Sequence, residues 1–243
     1  MLIFKQPYWI FSKKIIYYAH NPSIKDGIFC IYLHLKTNKR YIFYRRSDKY
    51  TKIINLANEK FYEDFGKTTR YEIERAKREG VKCATTNDVS LFINMYKTQN
   101  KKKKLNSNIS KLKFNIWGDS FVLRVAFIDE NNPLVFHSYL LDKTIKRVRL
   151  LHSVSCLYSE NNSTFDKSFI SRANRLLHFE DMIYFREMGF IMYDFGGYAF
   201  NTSDKSLKGI NNFKDSFGGE LVLESNYESI TLWMIRNLLK LFR

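Results

Sequence analysis

The chain has 243 residues, enough for one large domain or two small ones with a sizeable buried core. Its 45% hydrophobic and 16% aromatic content excludes an intrinsically disordered chain. A formal net charge of +16 points to polyanionic partners: nucleic acid, phosphate-rich small molecules or an anionic membrane face.

Cys30, Cys83 and Cys156 are odd in number, widely spaced and without a C-x-x-C pair, which argues against a disulfide framework or a zinc site. His20, His34, His137, His152 and His178 do not cluster in sequence, so no metal is expected. No apolar run approaches the length of a membrane span, and the first residues lack the apolar region of a signal peptide. A cytoplasmic setting is expected, with contact at the inner membrane face as a peripheral protein.

The opening third alternates aromatic or branched runs with basic turns. Segments 28–33 and 41–44, divided by the polar stretch 36–40, predict a hairpin. Residues 36–52 hold seven basic side chains against the single Asp48. Thr69 and Glu72 form a capping-box pattern that opens a helix through Glu79, with Gly80 as its terminator. A short strand over 81–85 follows, then a second helix capped by Asp88, in which Leu91, Phe92, Met95 and Tyr96 share a face. Residues 97–113 carry seven lysines and no acid, which reads as a basic loop and a boundary.

From Phe114 the texture changes. Strands are predicted over 121–129, 134–142 and 147–158, the first two joined at Glu130–Pro133. Next come a helix over 172–188 ending at Gly189, a strand over 190–194, a short helix over 207–217 and a strand over 220–225. The end of the chain, 233–243, has amphipathic helical spacing; docking on the domain is the expected use, with its basic face resting on anionic lipid as the alternative. The organisation predicted is one domain, 1–243: an N-terminal part (1–113), a core (114–225) and the tail (226–243).

Polar groups inside this apolar helix–strand–helix unit are the candidates for chemistry. On the helix 172–188, Asn174, His178 and Asp181 fall together at positions i, i+4 and i+7, beside the apolar face of Ala173, Leu177, Tyr184 and Met188. Amide, imidazole and carboxylate in one stripe can hold a substrate or relay a proton. Arg172, near the start of that helix, is a further substrate-binding candidate. Tyr193-Asp194-Phe195-Gly196-Gly197 puts a carboxylate at a strand end, beside glycines that let a ligand approach the backbone. Phe213-Lys214, between Gly209 and Gly218-Gly219, can aim a positive charge at a carbonyl or phosphate from an apolar support. His152-Ser153 is not a nucleophile–base pair, because consecutive strand residues point to opposite faces.

These motifs resemble those of the Fem-type transferases (FemABX), within the broader GNAT acyltransferase superfamily. The resemblance runs from about Thr68 to Leu223. It is carried by Arg70, Ile73, Ala76, Gly80 and Val81, then Tyr193–Gly197, and most specifically by Gly209-Ile210-x-x-Phe213-Lys214-x-x-Phe217-Gly218-Gly219. It implies a mixed α/β (α+β) GNAT-like fold, with a splayed, mostly antiparallel central sheet flanked by helices. The length suits a single-unit form. It also implies transfer of an activated acyl or aminoacyl group to an amine of a cell-envelope precursor, a peptidoglycan precursor or a surface-polysaccharide amino sugar. Phe213 and Lys214 fall where the family places its donor-side aromatic and lysine. The donor is a co-substrate, aminoacyl-tRNA or an acyl thioester such as acyl-CoA. No glycine occurs between Asp119 and Met188, so the Gly-rich pyrophosphate loop of CoA-using relatives is missing, which favours aminoacyl-tRNA.

Lys214, Asp194, His178 and Asp181 are therefore the expected catalytic groups, and Asn174, Phe213, Gly196, Gly197 and Arg172 the expected substrate-binding ones. The alternative is a non-catalytic basic nucleic-acid-binding protein using Arg45-Arg46 and Lys101–Lys104.

Overall fold

The computed structural model describes residues 1–105, 109–129, 132–158 and 165–241. Among them the strands are β1 (Leu2–Tyr8), β2 (Phe11–Tyr17), β3 (Cys30–Leu35), β4 (Tyr44–Asn55), β5 (Lys82–Thr85), β6 (Phe121–Phe127), β7 (Pro133–Asp142), β8 (Arg147–Ser155), β9 (Met192–Tyr198) and β10 (Glu220–Ser229). The helices are α1 (Lys67–Arg78), α2 (Val89–Lys102), α3 (Lys111–Trp117), α4 (Lys167–Glu187), α5 (Lys205–Asp215) and α6 (Ile230–Leu241). The fold is mixed α/β with mostly antiparallel strand pairs, as the motifs implied. The chain forms two compact units. One comprises residues 1–52, 197–208 and 221–243, the other 53–196 and 209–220.

In the second unit the strand order is β9-β8-β7-β6-β5. The pairs β5–β6, β6–β7 and β7–β8 are antiparallel, while β8 and β9 run parallel, with α4 as the crossover between them. Asp166 caps α4 by accepting from the Phe169 amide, so the helix begins five residues before the stretch predicted. Ala173, Leu176, Leu177, Met182 and Phe185 of α4 join Val135, Leu141, Val148 and Phe195 in one core. Met188, expected on that apolar face, lies past the last helical turn and is exposed. Helix α1 starts at Lys67 after Gly66, whose amide donates to the Ser216 carbonyl; the capping box is not formed, and Thr69 is buried inside the first turn. A tertiary anchor, not a side-chain cap, sets this start. The Asp88 cap on α2 forms as read, and Gly80 follows the end of α1.

The basic stretch 97–113 is helical at both ends: Lys97, Lys101 and Lys102 close α2, while Lys111 and Lys113 open α3. Residues 106–108 within it lie outside the described residues, as do Glu130 and Asn131 of the β6–β7 turn and 159–164 before α4.

The parallel pair β8–β9 is short. Its register covers Arg147↔Met192, Val148↔Tyr193 and Arg149↔Asp194 only. Beyond that point β8 carries a bulge: Tyr139 opposes Leu150 and Ser138 opposes His152, leaving Leu151 as the extra residue. The bulge follows directly on the end of the parallel ladder at Arg149. Strand β9 continues to Tyr198, so Asp194 lies within the strand and not at its end.

In the first unit the order is β1-β2-β3-β10-β4. The hairpin predicted over 28–44 is not formed. Strand β3 pairs with β2 in parallel and with β10 antiparallel, and β10 separates it from β4. Tyr227 of β10 explains the insertion: buried, it donates its hydroxyl to the Thr37 and Lys39 carbonyls and packs its ring edge-on against Tyr41. The sheet core here is Ile16, Ala19, Cys30, Tyr32, Leu35 and Tyr227.

The α5–β10 turn presses its backbone onto neighbours. A Cβ on Gly219 (φ +77°) would meet the Ile54 side chain at 2.4 Å and the Ile53 carbonyl at 2.5 Å. Gly219→Ala should lower stability by about 2–4 kcal/mol, from left-handed backbone strain plus overlap. Gly197→Ala, with open space around its Cβ, should change stability by less than about 1 kcal/mol. Urea unfolding of both variants checks the contrast.

Candidate functional site

Two polar clusters lie in the second unit, on residues from β6, β7, β8, β9, α4 and α5. The first surrounds Asp194. Its Oδ2 accepts from Arg147 Nε (3.1 Å) and Nη2 and from Arg149 Nη1, and its Oδ1 accepts from the Gly196 amide at 2.8 Å. Arg147 and Arg149 occupy positions i and i+2 of β8, hence one face of the strand. All three charged side chains are buried. Lys214, also buried, donates from Nζ to the Gly196 carbonyl at 3.4 Å.

Burial pushes the Lys214 ammonium down to about 8; Asp194 works against that shift, and Arg149 adds to it. A lysine near the middle of the accessible pH range can change its charge during function, which a solvated lysine does not. Gly196 has φ +77°, and a Cβ there would meet the Leu150 carbonyl at 2.9 Å. Only glycine lets β9 pass β8 this closely while turning its own carbonyl to Lys214.

The second cluster is a chain of hydrogen bonds under α4. His178 Nδ1 lies 2.7 Å from the Tyr193 hydroxyl, which lies 2.6 Å from the Tyr139 hydroxyl. Tyr139 donates to Asp181 Oδ2 at 2.6 Å, and His137 Nδ1 is 2.9 Å from the same oxygen. Arg124 Nε donates to Asp181 Oδ1 at 2.8 Å. His137 Nε2 reaches Asn174 Oδ1 at 2.8 Å, and that oxygen accepts from Ser153 Oγ at 3.3 Å. Burial drives the His178 imidazole well below its usual range, and His137, Lys214 and Arg175 push the same way. The ring is therefore neutral. Burial, reinforced by the Asp181 charge, raises Tyr139 and Tyr193 well above the phenol range.

The predicted residues thus separate into three groups. Lys214, Asp194 and Gly196 come together. His178 joins them through aromatic contacts: its ring is 5.4 Å from Phe213, 4.9 Å from Phe195 and 5.5 Å from Phe217. Asp181 and Asn174 stand further along the hydrogen-bond chain. Arg172 is engaged elsewhere, as a bidentate partner of Glu79 at 2.8 and 2.9 Å that ties α4 to the end of α1. Gly197 is exposed, with open space where a Cβ would stand.

Arg147, Arg149, Arg124, His137 and Tyr139 are absent from the residues expected, and Tyr193 entered only as part of its motif. The available signal was polar residues two apart in apolar strands, Arg147/Arg149 and His137/Tyr139, which share a buried face. His152 is hydrogen-bonded to Ser138 across the β7–β8 pair at 2.7 Å, and burial, followed by the charge of Lys113, pushes it down to about 4. Among the described residues no three His, Cys, Asp or Glu side chains converge as metal ligands.

The mixed α/β fold, with α4 crossing between two parallel strands, is GNAT-like. Among solved structures, FemX shares the fold with a TM-score of 0.63 at 13% identity, over 84% of this chain and 67% of that one. L-PGS from Bacillus licheniformis aligns with a TM-score of 0.56 at 12% identity, over 86% of this chain and 72% of that one. The C-terminal domain of a protein assigned as a lysylphosphatidylglycerol synthetase of Agrobacterium fabrum gives 0.54 at 11%, over 86% and 70%. No family model and no curated protein matches the sequence.

Asp194 is the counter-charge that holds the Lys214 ammonium up against burial. Asp194→Asn should move the Lys214 titration below about 8 and lower stability by about 3–5 kcal/mol, since two buried guanidiniums lose their partner. NMR titration of selectively labelled lysine checks the first effect, and thermal unfolding the second.

Proposed function

We propose that this protein transfers an activated acyl or aminoacyl group to an amine, with Lys214 stabilising the charge that develops on the donor carbonyl. The observation that carries this reading is a buried ammonium, shifted to about 8, held by the Gly196 carbonyl just past the end of the β8–β9 ladder. The fold shared with FemX supports it.

In this mechanism the neutral acceptor amine attacks the donor carbonyl carbon, forming the C–N bond while the carbonyl π electrons move to oxygen. Lys214 Nζ faces that oxyanion from a site with little water, where such a charge contributes several kcal/mol. Collapse expels the ester oxygen of an aminoacyl-tRNA or the sulfur of an acyl thioester. The proton lost by the amine ends on that leaving atom, so the reaction is balanced without a further reagent.

His178 and Asp181 are buried, at 1% and 0% exposure. They act as positioning residues: a neutral His178 adds no positive charge beside Lys214, and the Tyr193–Tyr139–Asp181 chain fixes its ring. Asp194 orients the two arginines and sustains the Lys214 charge. Phe213 walls the donor side, and Asn174, Gly196 and Gly197 remain substrate-side proposals.

The donor proposed is aminoacyl-tRNA, with an acyl thioester as the second choice, in keeping with the +16 charge. The acceptor proposed is an anionic envelope precursor, of peptidoglycan or a surface polysaccharide. The setting is the cytoplasm, with peripheral contact at the inner membrane face. Among the described residues no helix is long and apolar enough to cross a membrane.

Lys214→Met keeps an unbranched chain and deletes the charge. Turnover should fall by about 100- to 1000-fold with the fold intact, as for loss of one oxyanion-stabilising group. Lys214→Arg should rescue poorly, because a planar guanidinium does not replace a compact ammonium. The charged form is the active form and is lost as pH rises, so wild-type kcat should decline above about pH 8. Mass-spectrometric detection of acylated amine across pH checks both effects. Full activity in folded Lys214→Met would move the chemistry elsewhere.

A further inference from the structure

Several large apolar side chains of the first unit stand in solvent at one end of its sheet. Trp9 and Ile10 form the β1–β2 turn and are 70% and 80% exposed. Phe11, the next residue, stacks on Phe29 with ring centroids 4.2 Å apart, which brings the turn beside exposed Ile28. The Ile28 carbonyl accepts from Ser229 Oγ at 2.6 Å, and the next residue's amide, Ile230 N–H, donates to the Phe43 carbonyl at 3.0 Å. Phe43 and Ile42 are 62% and 87% exposed. These bonds gather Trp9, Ile10, Ile28, Ile42 and Phe43 at the edge where α6 begins.

Helix α6 extends the patch. Ile230, Met234 and Leu238 are its exposed large hydrophobics, spaced i, i+4, i+8 along one stripe, while Leu232 is buried. Arg236, on the basic face that the sequence pattern gave this helix, is exposed as well and pairs with Glu228 at 2.8 Å.

The first segment of this unit is strongly basic. Residues 1–52 contain eleven Lys or Arg against two Asp. Both acids are engaged, Asp26 by Lys14 and Tyr32, and Asp48 by Arg46 and Ser225. Lys25 lies three residues before Ile28, and Arg45, two after Phe43, is stacked over Trp233 of α6.

We infer that this end of the first unit docks on an anionic lipid bilayer, inserting Trp9, Ile10, Ile42 and Phe43 into the headgroup region, with the basic residues resting on the lipid phosphates. Tryptophan favours that interface, and each nearby Lys or Arg strengthens binding to anionic lipid roughly fivefold. Isoleucines and methionine offer nothing to a nucleic acid's phosphates. A second copy of the chain would bring one strongly positive surface against another. The inference rests on this surface alone, and binding is read without turnover, so it stands or falls separately from the catalytic reading.

The test is co-sedimentation of the full chain with phosphatidylcholine vesicles, with and without about one-third phosphatidylglycerol. The wild type should bind the anionic vesicles at least about tenfold more tightly than the neutral ones, and its Trp emission should shift to the blue. Trp9→Phe should keep the binding and lose that shift. Trp9→Ser with Ile10→Ser should weaken binding at least about tenfold, and Lys25→Gln with Arg45→Gln roughly 30-fold. Unchanged thermal unfolding shows that these surface variants fold. Equal binding to both vesicle types, or undiminished binding by folded Trp9→Ser/Ile10→Ser, would overturn the inference. So would a dimer that this double variant dissolves, which would assign the patch to a second copy.

Discussion

The ion pairs that Asp194 makes with Arg147 and Arg149 are the constraint on which the second unit depends. They join β8 to β9 at the last step of a three-residue parallel ladder. A ladder that short gives little cohesion from backbone hydrogen bonds alone. A buried carboxylate shared by two guanidiniums supplies the rest, and removing one partner from such a group is far more damaging than its net worth suggests. Past this clasp β8 carries the Leu151 bulge, so the clasp marks the end of the parallel ladder.

The same cluster sets the electrostatics of Lys214. Burial removes water from the ammonium and lowers it; Asp194 opposes that shift, and Arg149 adds to it. The result is a lysine near its titration point and not a permanently charged one. A protonated His178 would add positive charge nearby. Its deep burial, with His137 and Lys214 nearby, keeps it neutral. The hydrogen-bond chain through Tyr193, Tyr139 and Asp181 then serves two ends at once. It satisfies polar groups that would otherwise be costly inside the core, and it fixes the face of α4 on which His178 lies.

Much of the second unit was legible because its elements carry local signals. Helix α4, the strand after Gly189 and the Phe213-Lys214 helix all follow from periodicity and glycine punctuation. The clasp was not legible: Arg147 and Arg149 are ordinary strand residues until the parallel partner is known, and parallel partners are distant in sequence. Asp194 was placed at a strand end because the glycines after it read as a turn, whereas Gly196 keeps the chain extended past a close neighbour. In the first unit the predicted 28–44 hairpin failed for a similar reason. Strand β10, almost two hundred residues later, takes the place beside β3 that a local partner would have filled. The β1–β2 hairpin went unread because its turn, Trp9-Ile10, has none of the usual turn residues and puts a tryptophan at φ +54°.

In the proposed mechanism the Lys214 ammonium addresses the donor carbonyl just past the end of the β8–β9 ladder. A crystal structure with a stable amide analogue of the aminoacyl-adenosine end of a charged tRNA tests it most directly. The account predicts the analogue's carbonyl oxygen within about 3 Å of Lys214 Nζ, beside Gly196 and Phe213. An analogue bound in the second unit with its carbonyl turned away from Lys214 would contradict it.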